Sequence, residues 1–151
     1  MLQVPPLPDV RLGPSWRAGT GSHGRRFRDL RADGEGGAVE ARVERCAWGR
    51  LRDAYPVGLR DLEVRVGPCA AGALADLLAE LREALADADP LSRRVVFAVP
   101  VDDPGRIAAA ESAGFRRVVD IDLDEVEHTL LTWEPAWATR IDPGLDRVPG
   151  A

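Results

Sequence analysis

The sequence predicts a mixed β-sheet with flanking helices, of the α+β or the α/β class. Two stretches alternate apolar and charged residues with the period of a half-buried strand. A third stretch repeats leucine at helical spacing, and a fourth is a short, continuously apolar run. The chain of 151 residues is long enough for one domain with a modest core and too short for two large ones.

The first two strands are predicted from the alternating stretches. Within residues 38–51, every second residue from Val39 to Val43 is apolar and the residues between are charged. The same pattern runs from Leu62 to Val66. Because a turn-like segment separates the two stretches, we expect an antiparallel pair.

A strand-helix-strand unit follows. The leucines between Leu74 and Leu85 fall on one helical face, which predicts a helix over residues 73–88. After a break at Pro90, residues 94–99 read RVVFAV, a run typical of a strand that is buried on both faces.

A second helix and a hairpin complete the pattern. Asp103 suits an N-cap, Pro104 suits the first helical position, and Gly114 suits the left-handed position after a helix end. Residues 117–123 and 128–133 alternate on either side of an acidic turn, which predicts two paired strands.

The chain is predicted to divide into three parts. Prolines and glycines crowd residues 1–37, which we expect to be irregular apart from one strand near Phe27 to Leu30. Residues 38–135 form the folded domain, and residues 136–151 form a tail.

Composition and charge exclude several classes of function. The net charge is −5, and all 20 basic residues are arginines, so mechanisms that need a lysine are excluded. No stretch approaches the ~20 apolar residues that cross a bilayer, and the N-terminus does not read as a signal peptide. We therefore expect a cytoplasmic protein with neither a membrane nor a nucleic acid as its partner.

Metal and disulfide chemistry are not indicated either. Cys46 and Cys69 are isolated thiols, and the only histidines, His23 and His128, lack ligand spacing around them. We expect two reduced cysteines and no metal.

Residues 61–133 resemble the C-terminal half of the GNAT (Gcn5-related N-acetyltransferase) fold, over roughly half of the chain. Residues 108–115, AAAESAGF, resemble the family's helix that ends in a small residue, Gly and Phe. The order of elements agrees as well. The resemblance implies an α+β fold with a mixed, mostly antiparallel sheet and flanking helices. It also implies acetyl-CoA or another acyl-CoA as cosubstrate, and a small-molecule or protein amine as acceptor; a homodimer is left open.

The loop after the second alternating strand is the candidate acyl-CoA site. A small-residue loop that leads into a helix exposes backbone N–H groups and the positive helix end to a pyrophosphate, and a pantetheine arm can pair with a splayed strand. The simpler interpretation is a tight strand-to-helix turn, since the family's loop signature is not matched cleanly. The predicted contact residues are Val64, Val66, Gly67, Cys69, Ala70, Ala71, Gly72, Ala73 and Asp103.

Two departures from the family pattern bear on activity. Where the family often has a tyrosine that acts as general acid, four residues before Gly114, this chain has Ala110. The family's first strand and its two following helices would have to fit within residues 1–37, which lack a helical pattern.

The catalytic candidates are Glu63 and His128, each of which could act as the general base that neutralises an amine acceptor. A solvated strand carboxylate and an exposed hairpin histidine are the alternatives. Asp120, Asp122 and Asp124 alternate along one strand, and they either attract a cation or form a solvated face.

Three functions remain from the sequence. The leading hypothesis is an N-acetyltransferase that transfers an acyl group from acyl-CoA to an amine by direct attack. The second is a catalytically degenerate GNAT-like domain with a regulatory or protein-interaction role. The third is a binding module that uses the arginines of residues 25–31.

Overall fold

A single mixed sheet with two α-helices organises the described part of the chain. The computed structural model describes residues 3–8, 10, 12–14, 16–18, 27–34 and 37–138. The strands are β1 (Trp16–Ala18), β2 (Phe27–Gly34), β3 (Gly37–Arg45), β4 (Leu62–Val66), β5 (Val95–Pro100), β6 (Arg116–Leu123) and β7 (Val126–Trp133). The helices are α1 (Ala71–Ala88) and α2 (Pro104–Ser112), and a 3₁₀ turn spans Cys46–Trp48.

The strand order in the sheet is β1-β2-β3-β4-β5-β7-β6. Only β4 and β5 are parallel, and every other neighbouring pair is antiparallel. The predicted α+β class with a mixed, mostly antiparallel sheet is confirmed. The unit β4-α1-β5 is the predicted strand-helix-strand unit.

The main core lies between the sheet and α1. Four leucines of α1, Leu74, Leu78, Leu81 and Leu85, are fully buried and pack against apolar residues of the central strands such as Val43 and Phe97. Burying each leucine contributes about 1.5–3 kcal/mol to folding. None of the described helices is both long enough and apolar enough to cross a membrane.

A second, smaller core covers the opposite face of the sheet. Cys46 and Leu51, from the segment between β3 and β4, are fully buried against Val96 of β5 and Leu130 of β7. This segment also contributes Arg50, which donates hydrogen bonds to the buried Glu63 of β4. The covering matters for the site, because Glu63 lies beneath it.

Residues 1–37 contain the one strand that was predicted there and also β1, which was not predicted. The strand expected near Phe27 runs through Gly34, pairs along its length with β3, and is flanked by β1. Arg42 of β3 donates to both carboxylate oxygens of Asp29 of β2, at 2.7 and 3.1 Å. Such pairing is non-local and leaves little periodicity in the sequence. Most of the predicted tail, residues 139–151, lies outside the described residues.

The predicted ends of α2 are confirmed. The Asp103 carboxylate accepts a hydrogen bond from the backbone N–H of Arg106 at 3.2 Å, which is an N-cap contact. Gly114 has a φ of +96°, the left-handed conformation that glycine adopts without strain. In the β6-β7 hairpin, Asp124 and Glu125 also have positive φ, at 51° and 68°, as a tight hairpin turn requires.

Candidate active site

Strands β4 and β5 begin as neighbours and then separate. Their register pairs are limited to Leu62 with Val95 and Glu63 with Val96. Beyond Glu63, β4 stays paired with β3, and the Gly67 N–H donates to the carbonyl of Glu40 at 2.7 Å. Strand β5 meanwhile stays paired with β7 along its whole length. The central sheet therefore opens into a V with its apex at Glu63.

A cleft of about 550 Å³ fills the open end of this V. It lies where the loop after β4 meets the first turns of α1 and α2. Of the predicted contact residues, Val66, Cys69, Ala71 and Asp103 line it. Val64 is buried in the core instead, because its side chain points towards α1. The full lining is Val66, Pro68, Cys69, Ala71, Pro100, Asp103, Gly105 and Arg106.

The N-terminus of α1 faces the cleft with free backbone donors. The first helical hydrogen bond runs from the N–H of Leu74 to the carbonyl of Ala70, so the helix itself does not use the N–H groups of residues 71–73. Ala70 provides no side-chain cap, and the first turn holds no acidic residue. A Cβ placed on Gly72 would meet nothing within 4 Å. The end of the helix is therefore open to an anion.

Arg106 is a cleft residue that the sequence analysis missed. Its guanidinium donates to the backbone carbonyls of Val66 at 2.5 Å and Gly67 at 3.2 Å, and lies 5.6 Å from the ring centre of Phe97. A basic residue in the first turn of a helix carries no sequence signal for such a contact, because its partners are backbone atoms far away in the chain.

A second, charged pocket lies beside the end of β4. It has a volume of about 290 Å³ and shares Val66 with the cleft. Its charged lining side chains come from three neighbouring strands and are Asp29, Glu40, Arg42 and Arg65. The end of β4 thus separates a largely apolar cleft from a pocket that carries both signs of charge.

Glu63 stands at the apex of the V and is completely buried. Arg50, from the covering segment, donates two hydrogen bonds to Oε2 at 3.0 and 2.8 Å, and Arg65 Nε lies 3.8 Å from the same oxygen. Among the described residues Oε1 has no hydrogen-bond partner. Burial raises the pKa of Glu63, and the hydrogen bond from Arg50 opposes that rise. The interpretation of Glu63 as a solvated carboxylate is wrong.

His128 is not brought together with Glu63. It is the register partner of Pro100 on β5, whereas Glu63 pairs with Val96. Four residues along β5 correspond to about 13 Å at about 3.3 Å per residue. The ring Nδ1 of His128 lies 2.9 Å from the carbonyl oxygen of Val126, within its own strand.

The remaining candidates are dispersed. Arg28 and Arg31 lie on opposite faces of β2, since side chains alternate along a strand, while residues 25 and 26 lie outside the described residues. Asp120 accepts a hydrogen bond from the Thr129 hydroxyl at 2.8 Å. Within the described ranges no three His, Cys, Asp or Glu side chains are grouped to hold a metal ion.

The two cysteines are free thiols in different surroundings. Cys46 is fully buried, and its burial raises the pKa of the thiol. Cys69 is half-buried in the cleft wall.

Solved structures with a similar fold include acetyltransferases. The aminoglycoside acetyltransferase AAC(6')-Ib, in complex with coenzyme A and kanamycin, has a TM-score of 0.63 at 14% identity, over 78% of this chain and 71% of that one. The same enzyme with acetyl-CoA and paromomycin gives 0.63 at 14% identity, over 82% and 70%. The chain has the GNAT fold.

The likeness to other GNAT structures is one of shape. The aminoglycoside N(6')-acetyltransferase of Legionella pneumophila has a TM-score of 0.53 at 8% identity, over 78% of this chain and 68% of that one. No protein-family model and no curated protein matches the sequence.

Ala110 stands at the position where the GNAT family often has a catalytic tyrosine. Ala110 is fully buried in the main core. Its methyl group has no proton to donate, and a tyrosine in its place would have to displace core side chains. Among the described residues that precede β4, the only helical element is the 3₁₀ turn, so the two helices that follow the family's first strand have no counterpart there.

Proposed function

We propose that this chain is an N-acetyltransferase that transfers the acyl group of an acyl-CoA to an amine. The observation that carries the proposal is the cleft between β4 and β5, which opens at the uncapped N-terminus of α1. A cleft of about 550 Å³ has the size of a ligand site. The coenzyme A and acetyl-CoA of the solved AAC(6')-Ib complexes agree with this proposal.

Each part of acyl-CoA has a counterpart in the cleft. The N–H groups of residues 71–73 and the positive end of α1 suit the diphosphate. The unpaired edge of β4 beyond Glu63 suits the amide groups of the pantetheine arm, which would pair as an additional strand. An arm laid along this edge brings its thioester towards the apex of the V.

The reaction is a direct displacement. The neutral amine nitrogen attacks the thioester carbonyl carbon, the C–S bond breaks, and an amide and the CoA thiolate are the products. The proton that the nitrogen loses goes to the Glu63 carboxylate through water, since Glu63 lies at the apex with one oxygen unpartnered. Burial raises the pKa of Glu63, which makes its carboxylate a stronger proton acceptor.

The charged pocket is the proposed acceptor site. It adjoins the cleft at Val66, so an amine held there is next to the arm of the cosubstrate. Asp29 is already paired with Arg42, whereas the exposed Glu40 carboxylate is available to attract a protonated amine. The kanamycin and paromomycin of the AAC(6')-Ib complexes are amines of this general kind.

The test is release of free CoA thiol from acetyl-CoA in the presence of a panel of small amines and peptide N-termini. We expect amine-dependent release of CoA thiol with at least one acceptor, and the acetylated amine as the second product. Thiol release that does not depend on the amine would indicate hydrolysis and would contradict it.

A second function is favoured by Ala110 and by the burial of Glu63. A chain that binds acyl-CoA without transferring the acyl group would show ligand binding but no amine-dependent thiol release. The two measurements together therefore separate an enzyme from a degenerate binding domain.

We also propose that two copies of the chain pair through β6. Within the described part of the chain β6 has a neighbour on one side only, and Val118 and Val119 are 47% and 40% exposed. Antiparallel pairing about an axis between these valines would set Arg117 of each copy opposite Asp120 of the other. The edge is therefore complementary in charge to itself.

A further inference from the structure

Arg106 lies across the mouth of the cleft between β4 and β5. It belongs to the first turn of α2, and its two hydrogen bonds end on the carbonyls of Val66 and Gly67 at the end of β4. The side chain thereby links α2 to the end of β4 at the open end of the V. It is half-buried and lines the cleft itself.

The guanidinium of Arg106 has no counter-ion within the described part of the chain. Both of its hydrogen-bond acceptors are neutral carbonyls. The nearest carboxylate in sequence, Asp103, is engaged as the N-cap of α2 and accepts from the backbone N–H of Arg106. A cation that is held by neutral groups retains most of its capacity to bind an anion.

This cation stands beside the uncapped end of α1, which has no basic side chain of its own. Residues 67–73 read GPCAAGA, and α1 begins at Ala71. Ala71 and Arg106 line the same cleft. A diphosphate at the helix N-terminus would therefore find its cationic partner on α2.

We propose that Arg106 closes this cleft until a ligand that carries phosphate draws its guanidinium away. This inference rests on the proposed function. Without ligand, Arg106 closes the open end of the V by holding the carbonyls of Val66 and Gly67. When acyl-CoA enters, the guanidinium leaves these carbonyls and pairs with the diphosphate, and the carbonyls become available to the pantetheine arm.

The exchange favours ligands that carry phosphate. In a bidentate pair of arginine with phosphate both partners are ionised and the fork geometry matches, whereas the carbonyls are neutral acceptors, so phosphate replaces the two carbonyl bonds with a gain. An acyl thioester of pantetheine alone would displace the Arg106 guanidinium from the same carbonyls without offering it an anion. Arg106 would thus select acyl-CoA against phosphate-free thioesters.

The experiment compares acetyl-CoA with acetyl-pantetheine, which has the same arm but no phosphate. Calorimetric titration gives the Kd of each ligand for the wild type, Arg106→Met and Arg106→Lys. Methionine keeps the apolar body of the side chain over Phe97 and removes the charge and the donors. Arg52→Gln, at an exposed position away from the cleft, is the matched control.

We expect Arg106→Met to bind acetyl-CoA about 10-fold more weakly and acetyl-pantetheine at least as tightly as the wild type. Arg106→Lys keeps the charge without the fork geometry, so its Kd for acetyl-CoA should lie between those of the wild type and Arg106→Met. Arg52→Gln leaves both Kd values unchanged. Thermal melting of each variant establishes that it is folded. If Arg106→Met does not fold, the comparison of Arg106→Lys with the wild type provides the test.

Two results would overturn the inference while leaving the proposed function intact. Equal weakening of both ligands would show that Arg106 only packs, and unchanged binding of acetyl-CoA would show that it does not reach the diphosphate. If the wild type binds neither ligand, the proposed function itself fails, and the role of Arg106 fails with it.

Discussion

Arg50 donates two hydrogen bonds to the same oxygen of Glu63, Oε2, and Oε1 has no hydrogen-bond partner in the part of the chain that the structure describes. The two residues come from different layers, since Glu63 lies in β4 and Arg50 in the segment that covers the outer face of the sheet. A buried carboxylate held on one side only keeps a proton-accepting oxygen at the apex of the V. This relationship links the folding of the covering segment to the proposed chemistry.

The pH dependence of stability should reveal the buried carboxylate. Because burial raises the pKa of Glu63 above its value in the unfolded chain, the folded state binds more protons over the pH window between the two pKa values. The wild type should therefore lose stability relative to Glu63→Gln as pH rises above about 4.3, by about 1.4 kcal/mol for each pH unit across that window. Urea unfolding at a series of pH values measures this difference.

The exposed Glu127→Gln on β7 is the matched control for the loss of a carboxylate in that series. Arg50→Ala removes the hydrogen bond that lowers the pKa of Glu63, so its own decline with pH should extend to higher pH than that of the wild type. A flat difference for Glu63→Gln would contradict the raised pKa.

Catalysis should depend on Glu63 and not on His128. Loss of a general base lowers kcat by about 10²-fold or more, so Glu63→Gln should lose at least about 100-fold in kcat while the Kd for acetyl-CoA stays within about twofold. His128→Ala should retain its rate, since His128 lies about 13 Å further along the strand direction. Steady-state thiol release distinguishes the two variants. A larger loss for His128→Ala would reverse the assignment.

A substitution at Gly72 should change the stability of the fold and the binding of acetyl-CoA in opposite directions. A Cβ at Gly72 meets no neighbour, so Gly72→Asp fits the first turn of α1 and adds about 0.3–1 kcal/mol of favourable interaction with the helix dipole. The same carboxylate repels a diphosphate, and we expect binding of acetyl-CoA to weaken by about 10-fold. Thermal melting and titration measure the two effects.

Gly72→Ala is the uncharged control, with an expected gain in stability of about 0.4–1 kcal/mol and unchanged binding. If Gly72→Asp binds acetyl-CoA as the wild type does, the diphosphate does not lie at this end of α1.

Charge reversals at the β6 edge should change the dimer population in a specific pattern. Arg117→Asp and Asp120→Arg should each shift the chain towards monomer, because each creates two pairs of like charges at the symmetric interface. The double variant restores opposite charges and should recover the dimer. Sedimentation velocity at several concentrations measures the populations. Equal behaviour of all four proteins would rule out this interface.

The elements that carry their own pattern could be predicted from the sequence. Helix α1 follows from its leucine stripe, and α2 follows from Asp103 at its start and Gly114 at its end. These signals are local, so one segment suffices to read them. The order of such segments also implied the mixed sheet.

The features that depend on distant partners could not be predicted. Strand β2 is held by cross-strand contacts such as Asp29 with Arg42, and a charged strand leaves little periodicity of its own. The burial of Glu63 depends on Arg50 and on a covering segment without regular structure. The role of Arg106 depends on two backbone carbonyls about forty residues away.

Titration of the wild-type chain with acetyl-CoA tests the central claim most directly, namely that the V between β4 and β5 is an acyl-CoA site. We expect one molecule of acetyl-CoA per chain, and at a ligand concentration 100 times the Kd a stabilisation of about 2.7 kcal/mol. The absence of both binding heat and any thermal shift at millimolar acetyl-CoA would contradict the claim.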